Sequence, residues 1–349
     1  MINEVLKEYG FSGNGYRVEK YGSGLINKTW LIEKEDEKYI LQKVNTSVFK
    51  KPEHIADNLE LIDCYLKQTN SNYLFTAPQK TLSGEGLVKL DNSYYRIYPF
   101  VKNSRSFDVV ATREQAYEAA RQFGRFTRLL SGIDISKIKV TLPAFHDLSL
   151  RFRQYQEALQ QGNPQRIRQS SELIENLNQY IYIAGEYEAI KANPEFKLRV
   201  THHDTKISNV LFDEDNKGIC VIDLDTVMAG YFISDVGDMM RTYLSPVSEE
   251  EKDYGKIEIR DDFYKAIVKG YREEMELELT ETEKGYFFYS GLFMIYMQAL
   301  RFLTDHLNND LYYGAAYENH NLLRAGNQTR LLQQLIARKD VLESYAGAS

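Results

Sequence analysis

The stretch Thr201-His202-His203-Asp204-Thr205-Lys206-Ile207-Ser208-Asn209 carries residue types that can act on a hydroxyl and a phosphate together. A hydroxyl attacking a γ-phosphate needs a carboxylate to orient it and accept its proton. An amide oxygen a few residues on can coordinate the divalent ion that bridges the phosphates. Asp204 and Asn209 have that spacing, and Lys206 is placed to meet the γ-phosphate as charge moves onto it. Asn209 leads into Val210-Leu211-Phe212, a polar turn from Asp213 to Gly218, and then Ile219-Cys220-Val221-Ile222-Asp223. This pattern predicts a β-hairpin that delivers Asp223 at the end of a buried strand. A carboxylate there is costly unless it is paired or holds a metal. Strand alternation puts Asp225 on the same face, as a further metal ligand or as support for Asp223. The plainer alternatives are a turn acid at Asp204 and a helix cap or ion-pair partner at Asp223.

The elements that must position these groups divide near residue 100. Before it the sequence predicts strands at 16–21, 29–32, 39–44, 87–90 and 94–98, with one helix opening at Lys51-Pro52-Glu53 and an apolar face of Ile55, Leu59, Ile62 and Leu66. Gly22-Ser23-Gly24-Leu25 lies between the first two strands, where glycines let backbone N–H groups approach phosphates; a plain hairpin turn is the other reading. Lys43 on the third strand is the candidate cation for the α- and β-phosphates, unless the position falls on Gln42, which faces the opposite side. Its expected partner is Glu60, with Glu53 as the alternative. From Thr112 onward the pattern is helical at 112–131, 149–160, 168–192, 261–275, 281–308 and 319–345, interrupted by strands at 198–224. The expected class is α+β: residues 1–100 form a small antiparallel-sheet lobe that binds nucleotide, and residues 101–349 form a larger, mostly helical lobe for catalysis and acceptor binding.

Composition narrows the partners. With 43% hydrophobic and 27% charged residues and a net charge of −7, the chain has the balance of a water-soluble protein with real cores. No basic stripe favours nucleic acid or an anionic membrane. The longest apolar run, Gly291 to Leu300, is about half of a membrane span. The first residues lack a signal-peptide pattern, so a cytoplasmic location is expected. Cys64 and Cys220 sit among apolar neighbours and read as two buried free thiols.

The motif His-x-Asp-x-x-x-x-Asn, followed by a hairpin and Ile222-Asp223, resembles the signature of the aminoglycoside-phosphotransferase and choline-kinase superfamily. The resemblance implies a bilobal protein-kinase-like fold, Asp204 as base, Asn209 and Asp223 as magnesium ligands, and ATP as co-substrate. Asp235-Val236-Gly237-Asp238 stands where such proteins have an aspartate that supports the loop. Tyr98-Pro99-Phe100-Val101 is similar to the hinge that meets adenine. One departure is His203, where many members have glycine.

Further segments resemble N-acetylhexosamine 1-kinases: Tyr21 to Asn27, Tyr39 to Lys43, Ile222 to Met228, Phe145-His146-Asp147 with Arg151, and Arg301-Phe302-Leu303-Thr304-Asp305. These lie between about residues 16 and 335 and imply that the acceptor is the anomeric hydroxyl of an amino sugar. Arg301 and Asp305, one helical turn apart, are candidate sugar contacts or an intrahelical ion pair. Tyr312 is a candidate pocket wall, and His146 and Asp147 are expected to be caps or lobe contacts. An aminoglycoside, choline or other metabolite kinase would use the same Asp204, Asn209 and Asp223. The acidic runs 248–251 and 273–276 would suit a cationic acceptor, or would be solvated helix faces. A nucleotide-binding regulator without turnover is the reading outside enzymes. Oligomeric state is not legible.

Overall fold

The computed structural model describes residues 2–11, 13, 15–22 and 26–347. The chain forms two compact units. One comprises Met1–Ser106, Leu129–Pro143 and Asn209–Ala229; the other comprises Phe107–Arg128, Ala144–Ser208 and Gly230–Ser349. A boundary near residue 100 therefore describes only the first crossing, because two later segments group with the first unit.

In the first unit, strands β1 (Arg17–Lys20), β2 (Lys28–Lys34), β3 (Glu37–Val44), β4 (Val88–Leu90) and β5 (Ser93–Pro99) form an antiparallel sheet in the order β1-β2-β3-β5-β4. Alternation gives the sheet two chemically different faces. Ile32, Leu41, Tyr95 and Ile97 pack with Val5, Leu6 and Phe11 into one apolar cluster. Gln42 and Arg96, directly opposite each other in register, belong to the other face. The helix Pro52–Thr69 begins with Pro at its first turn and buries Ile55, Leu59, Ile62 and Leu66, as its sequence pattern predicts. Cys64 on that helix is exposed, and only Cys220 is buried. The helical stripe that buries Ile62 and Leu66 turns the residue between them toward solvent.

The second unit is built around the helix Phe287–Leu307, in which every residue except Arg301 and Thr304 is buried. A helix apolar on nearly all sides belongs inside a bundle, and it contacts the helices Phe232–Tyr243, His320–Ala337 and Leu148–Gln161. Its expected start at 281 fails because Gly285 ends a short helix, Glu281–Lys284, first. The expected helix 168–192 is three helices, Pro164–Gln169, Ser171–Asn178 and Tyr182–Ala192. The helix Phe232–Tyr243 was not anticipated, because two aspartates and a glycine interrupt its apolar pattern. No described helix is long and apolar enough to cross a membrane.

Gly237 marks the closest approach between two of these helices. A Cβ there would lie 2.3 Å from the Ser290 carbonyl oxygen and 2.9 Å from the Met294 Cβ. Gly237→Ala is expected to destabilise the protein by about 1–3 kcal/mol through overpacking, read as a lower urea midpoint at unchanged slope. An unchanged midpoint would show that the helices have room to part at this point.

Candidate active site

The second unit holds the Asp204 loop by its main chain. Strand β6 (Arg199–Thr201) leads into the loop and is anchored by a buried, two-pronged Arg199–Glu283 ion pair of 2.7 and 2.8 Å. The helix Phe232–Tyr243 then receives three of the loop's main-chain donors. The Asp235 carboxylate accepts the N–H groups of His202 (3.0 Å) and His203 (2.8 Å), and Asp238 accepts that of Thr205 (2.9 Å). The Thr205 hydroxyl donates to the Asp235 carbonyl at 2.8 Å, and the Tyr243 hydroxyl donates to the Thr205 carbonyl at 2.5 Å. Bonds of backbone N–H to a carboxylate contribute about 1.5–3 kcal/mol each, so these contacts outweigh the loop's conformational freedom. Arg241 holds Asp238 at 2.9 and 3.0 Å and Glu249 at 2.8 Å, which compensates the buried charge.

His203 occupies the left-handed region at φ 65°. A glycine adopts that conformation without strain, and here Asp235 grips the His203 N–H and holds it there. Gly230 accommodates the imidazole, since a Cβ there would fall 2.5 Å from both His203 Nε2 and Thr201 Oγ1. His202 is fully buried, edge-on to Phe123 and Phe126. Asp204 itself is partly accessible, with Lys206 Nζ 3.2 Å from its carboxylate. The pair predicted from sequence is therefore adjacent and solvent-reachable.

In the first unit, strands β7 (Val210–Phe212) and β8 (Gly218–Val221) form the expected hairpin, with Val210 opposite Val221. The Ile222 N–H donates to the Asn209 carbonyl at 2.9 Å, so Asn209 and Asp223 flank the same open end. Asp223 and Asp225 do not share a strand face. β8 ends at Val221, Asp223 is left-handed (φ 58°), and Leu224–Thr226 is a 3-10 turn. The buried Asn58 fixes this turn from the helix Pro52–Thr69, donating to the Val227 carbonyl at 3.1 Å.

Asp225 was expected near magnesium, yet both of its oxygens are engaged, one by Arg96 and the other by Asn27 Nδ2 at 2.8 Å. Arg96 also donates to Gln42 Oε1 at 2.8 and 3.1 Å. Burial works against the Arg96 guanidinium, but the Asp225, Tyr98 and Asp223 charges outweigh it and hold its pKa above the usual arginine value. This cluster was missed from sequence. Its only signal was an arginine inside an otherwise apolar strand.

Lys43 lies on the other face, 5.7 Å over the Tyr95 ring, because adjacent strand residues point oppositely. Glu60 is not its partner; that acid pairs with Lys80 at 2.6 Å in the open. Glu53, the alternative, bonds the Tyr94 hydroxyl, which lowers its pKa. The Phe100 N–H, expected for adenine, donates to the Lys38 carbonyl at 3.0 Å as the sheet hydrogen bonding continues. Tyr98 sits beside Arg96, at 5.1 Å. Gly22 is left-handed at φ 72°, while Ser23, Gly24 and Leu25 lie outside the described residues.

A cavity of ≈ 350 Å³ in the second unit is lined by Arg151, Arg301, Thr304, Asp305, Tyr312 and Tyr313, among others. Arg301 reaches toward the Phe145, Tyr312 and Tyr313 rings rather than toward Asp305. Asp305 is buried and accepts the N–H groups of Tyr312 (2.7 Å) and Tyr313 (2.9 Å), with Asn321 at 3.1 Å. It therefore shapes the cavity wall by fixing that turn. Asp147 caps the helix Leu148–Gln161 through the Leu150 N–H at 3.0 Å, as expected. His146 is half-buried, and burial, then His203 and nearby arginines, lower its pKa well below the usual imidazole value.

Residues 17–277 match the phosphotransferase enzyme family, and the chain belongs to it. The structure is similar to the aminoglycoside phosphotransferase of Alicyclobacillus acidocaldarius (TM-score 0.68, 11% identity, 99% of this chain and 96% of that one). It is also similar to a microcompartment-associated aminopropanol kinase (0.63, 16%, 98% of each) and to a spectinomycin phosphotransferase in complex with ADP and spectinomycin (0.59, 14%, 97% of each). The fold is thus the protein-kinase-like one expected from the motif.

Asp235 gives a pH test of the loop clamp. Burial pushes its pKa up to about 7, against the pull of the two N–H bonds, with Asp238 and Asp204 adding to the rise. The ordinary aspartate value is about 3.8, so between pH 4 and 7 the folded state binds the extra proton. The stability this group contributes is complete below that window and is lost as pH rises through it. Urea unfolding across this range is expected to show a steeper loss in the wild type than in Asp235→Asn, which cannot titrate. Equal slopes would remove Asp235 as the titrating group.

Proposed function

We propose that this protein is a magnesium- and ATP-dependent small-molecule kinase whose acceptor is the anomeric hydroxyl of an N-acetylhexosamine. The observation that carries the kinase reading is the Asp204 loop, whose backbone is held by Asp235 and Asp238 while the Asp204 carboxylate stays accessible beside Lys206. In this reading Asp204 orients the acceptor hydroxyl and takes its proton as the bond to phosphorus forms. Lys206 lies within reach of the charge that develops on the transferred group.

Asn209 and Asp223 supply hard oxygen donors. Among the described residues no group of three or more acids, histidines or cysteines gathers as a metal cage. That suits magnesium, which binds through one or two protein oxygens and completes its shell with phosphates and water. When bound, the ion neutralises the phosphate charge. ATP follows from family membership and from the ADP held by the spectinomycin enzyme. The glycine segment at Gly22 and the Tyr98-Pro99-Phe100 segment remain the proposed nucleotide contacts.

The sugar reading rests on the cavity of the second unit, with aromatic Tyr312 and Tyr313 and the directional donors of Arg301. This is a lining for a neutral polyol. A polycationic acceptor has less support, because the acidic runs are engaged. Glu249 holds Arg241 and Arg324, Glu250 holds His320, Glu251 holds Lys256, and Glu274 holds Arg121 and Arg128.

Magnesium-dependent ATP consumption should be measured against N-acetylglucosamine, N-acetylgalactosamine, galactose, choline and kanamycin, with products identified by phosphorus NMR. The expected product is a sugar 1-phosphate. Asp204→Asn should lower turnover by about 10²–10⁴-fold with nucleotide binding retained, and Asp223→Asn should raise the magnesium requirement. Turnover with choline or kanamycin alone would sink the sugar acceptor and keep the kinase. Full activity in Asp204→Asn would remove the base.

A further inference from the structure

Resting on the kinase reading, we propose that Arg96 is the positioning residue of the nucleotide–magnesium site in the first unit, in place of the strand lysine. Asn27, strand β3 and the turn after β8 meet at the Arg96–Asp225 pair. Asn27 donates to Asp225 and accepts the Asn45 N–H at 3.0 Å. Gln42 on β3 accepts from Arg96, and Arg96 pairs with Asp225.

Geometry restricts the role to this arginine. Lys43 points to the apolar face of the sheet, and Gln42, on the facing side, has no charge. Arg96 and Asp225 are both nearly inaccessible, with side-chain exposures of 3% and 2%. An isolated Asp225 carboxylate at that depth would be a buried charge without compensation. Arg96 supplies the compensating charge in fixed directions, because a guanidinium serves an amide oxygen and a carboxylate at once whereas an ammonium offers no such planar fork. Asp225 is thereby committed to protein partners. The turn Leu224–Thr226 that follows Asp223 is pinned at its middle by Asp225 and at its end by Asn58. Arg96 thus acts on the metal through the placement of Asp223, without touching it.

The test uses the full chain without acceptor, measuring Mg–ATP binding by calorimetry and the magnesium concentration for half-saturation. The double variant Arg96→Gln/Asp225→Asn replaces the ion pair by neutral amides and removes the buried charge that a single substitution would strand. It is expected to keep a cooperative thermal transition and to bind Mg–ATP at least tenfold more weakly, with half-saturation shifted to higher magnesium. Arg96→Lys should recover only part of the affinity, and Lys43→Met should stay within twofold of wild type. A double variant that binds within twofold of wild type, or a tenfold loss in Lys43→Met, overturns the proposal. Should the double variant not fold, Arg96→Lys decides: a threefold or greater rise in the magnesium requirement supports the role, and an unchanged requirement overturns it. A wild type that binds no Mg–ATP overturns the kinase reading, and this inference with it.

Discussion

A buried loop must find acceptors for its own N–H groups, and here one helix provides most of them. The main-chain donors of His202, His203 and Thr205 turn toward Asp235 and Asp238 on the helix Phe232–Tyr243, and that of Asp204 turns back to His202 Nδ1. Without them the loop would expose its backbone to water or leave it unpaired, at a cost of about 1–3 kcal/mol per group. Neither aspartate needs to touch a reactant. Their effect is to let a short segment pass through a buried region in one conformation, strained at His203, and emerge with Asp204 accessible. Helix position adds to this, because Asp235 lies in the first turn, where the helix end favours negative charge.

The same principle governs the first unit with the charges arranged differently. There the buried carboxylate is Asp225, and an arginine rather than backbone N–H groups answers it. A buried ion pair seldom adds much net stability, since desolvation offsets the attraction. Its value lies in direction: Arg96, Gln42, Asn27 and Asp225 each have their partner in one geometry. Between them, these two clusters connect the predicted site residues to rigid elements. The sheet, the helix Pro52–Thr69 and the helix Phe232–Tyr243 do the holding, and the loops carry the chemistry.

Local pattern made much of this legible. The alternation of β2, β3 and β5, the proline-opened helix at 52, and the hairpin delivering Asp223 follow from period and turn residues alone. The spacing of Asp204, Lys206 and Asn209 likewise pointed to one loop. What local pattern could not reveal were partners distant in sequence. Arg96 and Gln42 are a cross-strand pair set by register, and Asp225 reaches them only because a 3-10 turn replaces the strand expected after Asp223. Choosing Lys43 over Gln42 was a choice between two faces of a strand, which depends on which face meets the apolar cluster. The bonds of Asp305 were hidden for a related reason: a polar residue on an apolar helix does not reveal that the turn at Tyr312 and Tyr313 donates to its oxygens.

In the proposed reading, the groups that would act on reactants differ from those that hold other residues. Asp235, Asp238, Asp225 and Asp305 are buried acids whose oxygens are occupied by N–H donors from the protein. Asp204 remains partly accessible, with the Lys206 ammonium as its neighbour. Access, rather than acidity, distinguishes the two kinds of aspartate. A sequence with 50 acidic residues offers many candidates for catalysis. Those whose oxygens are already held by the fold are fixed in position by the same bonds that remove them from chemistry, and in this protein that is how the accessible carboxylate is kept in place.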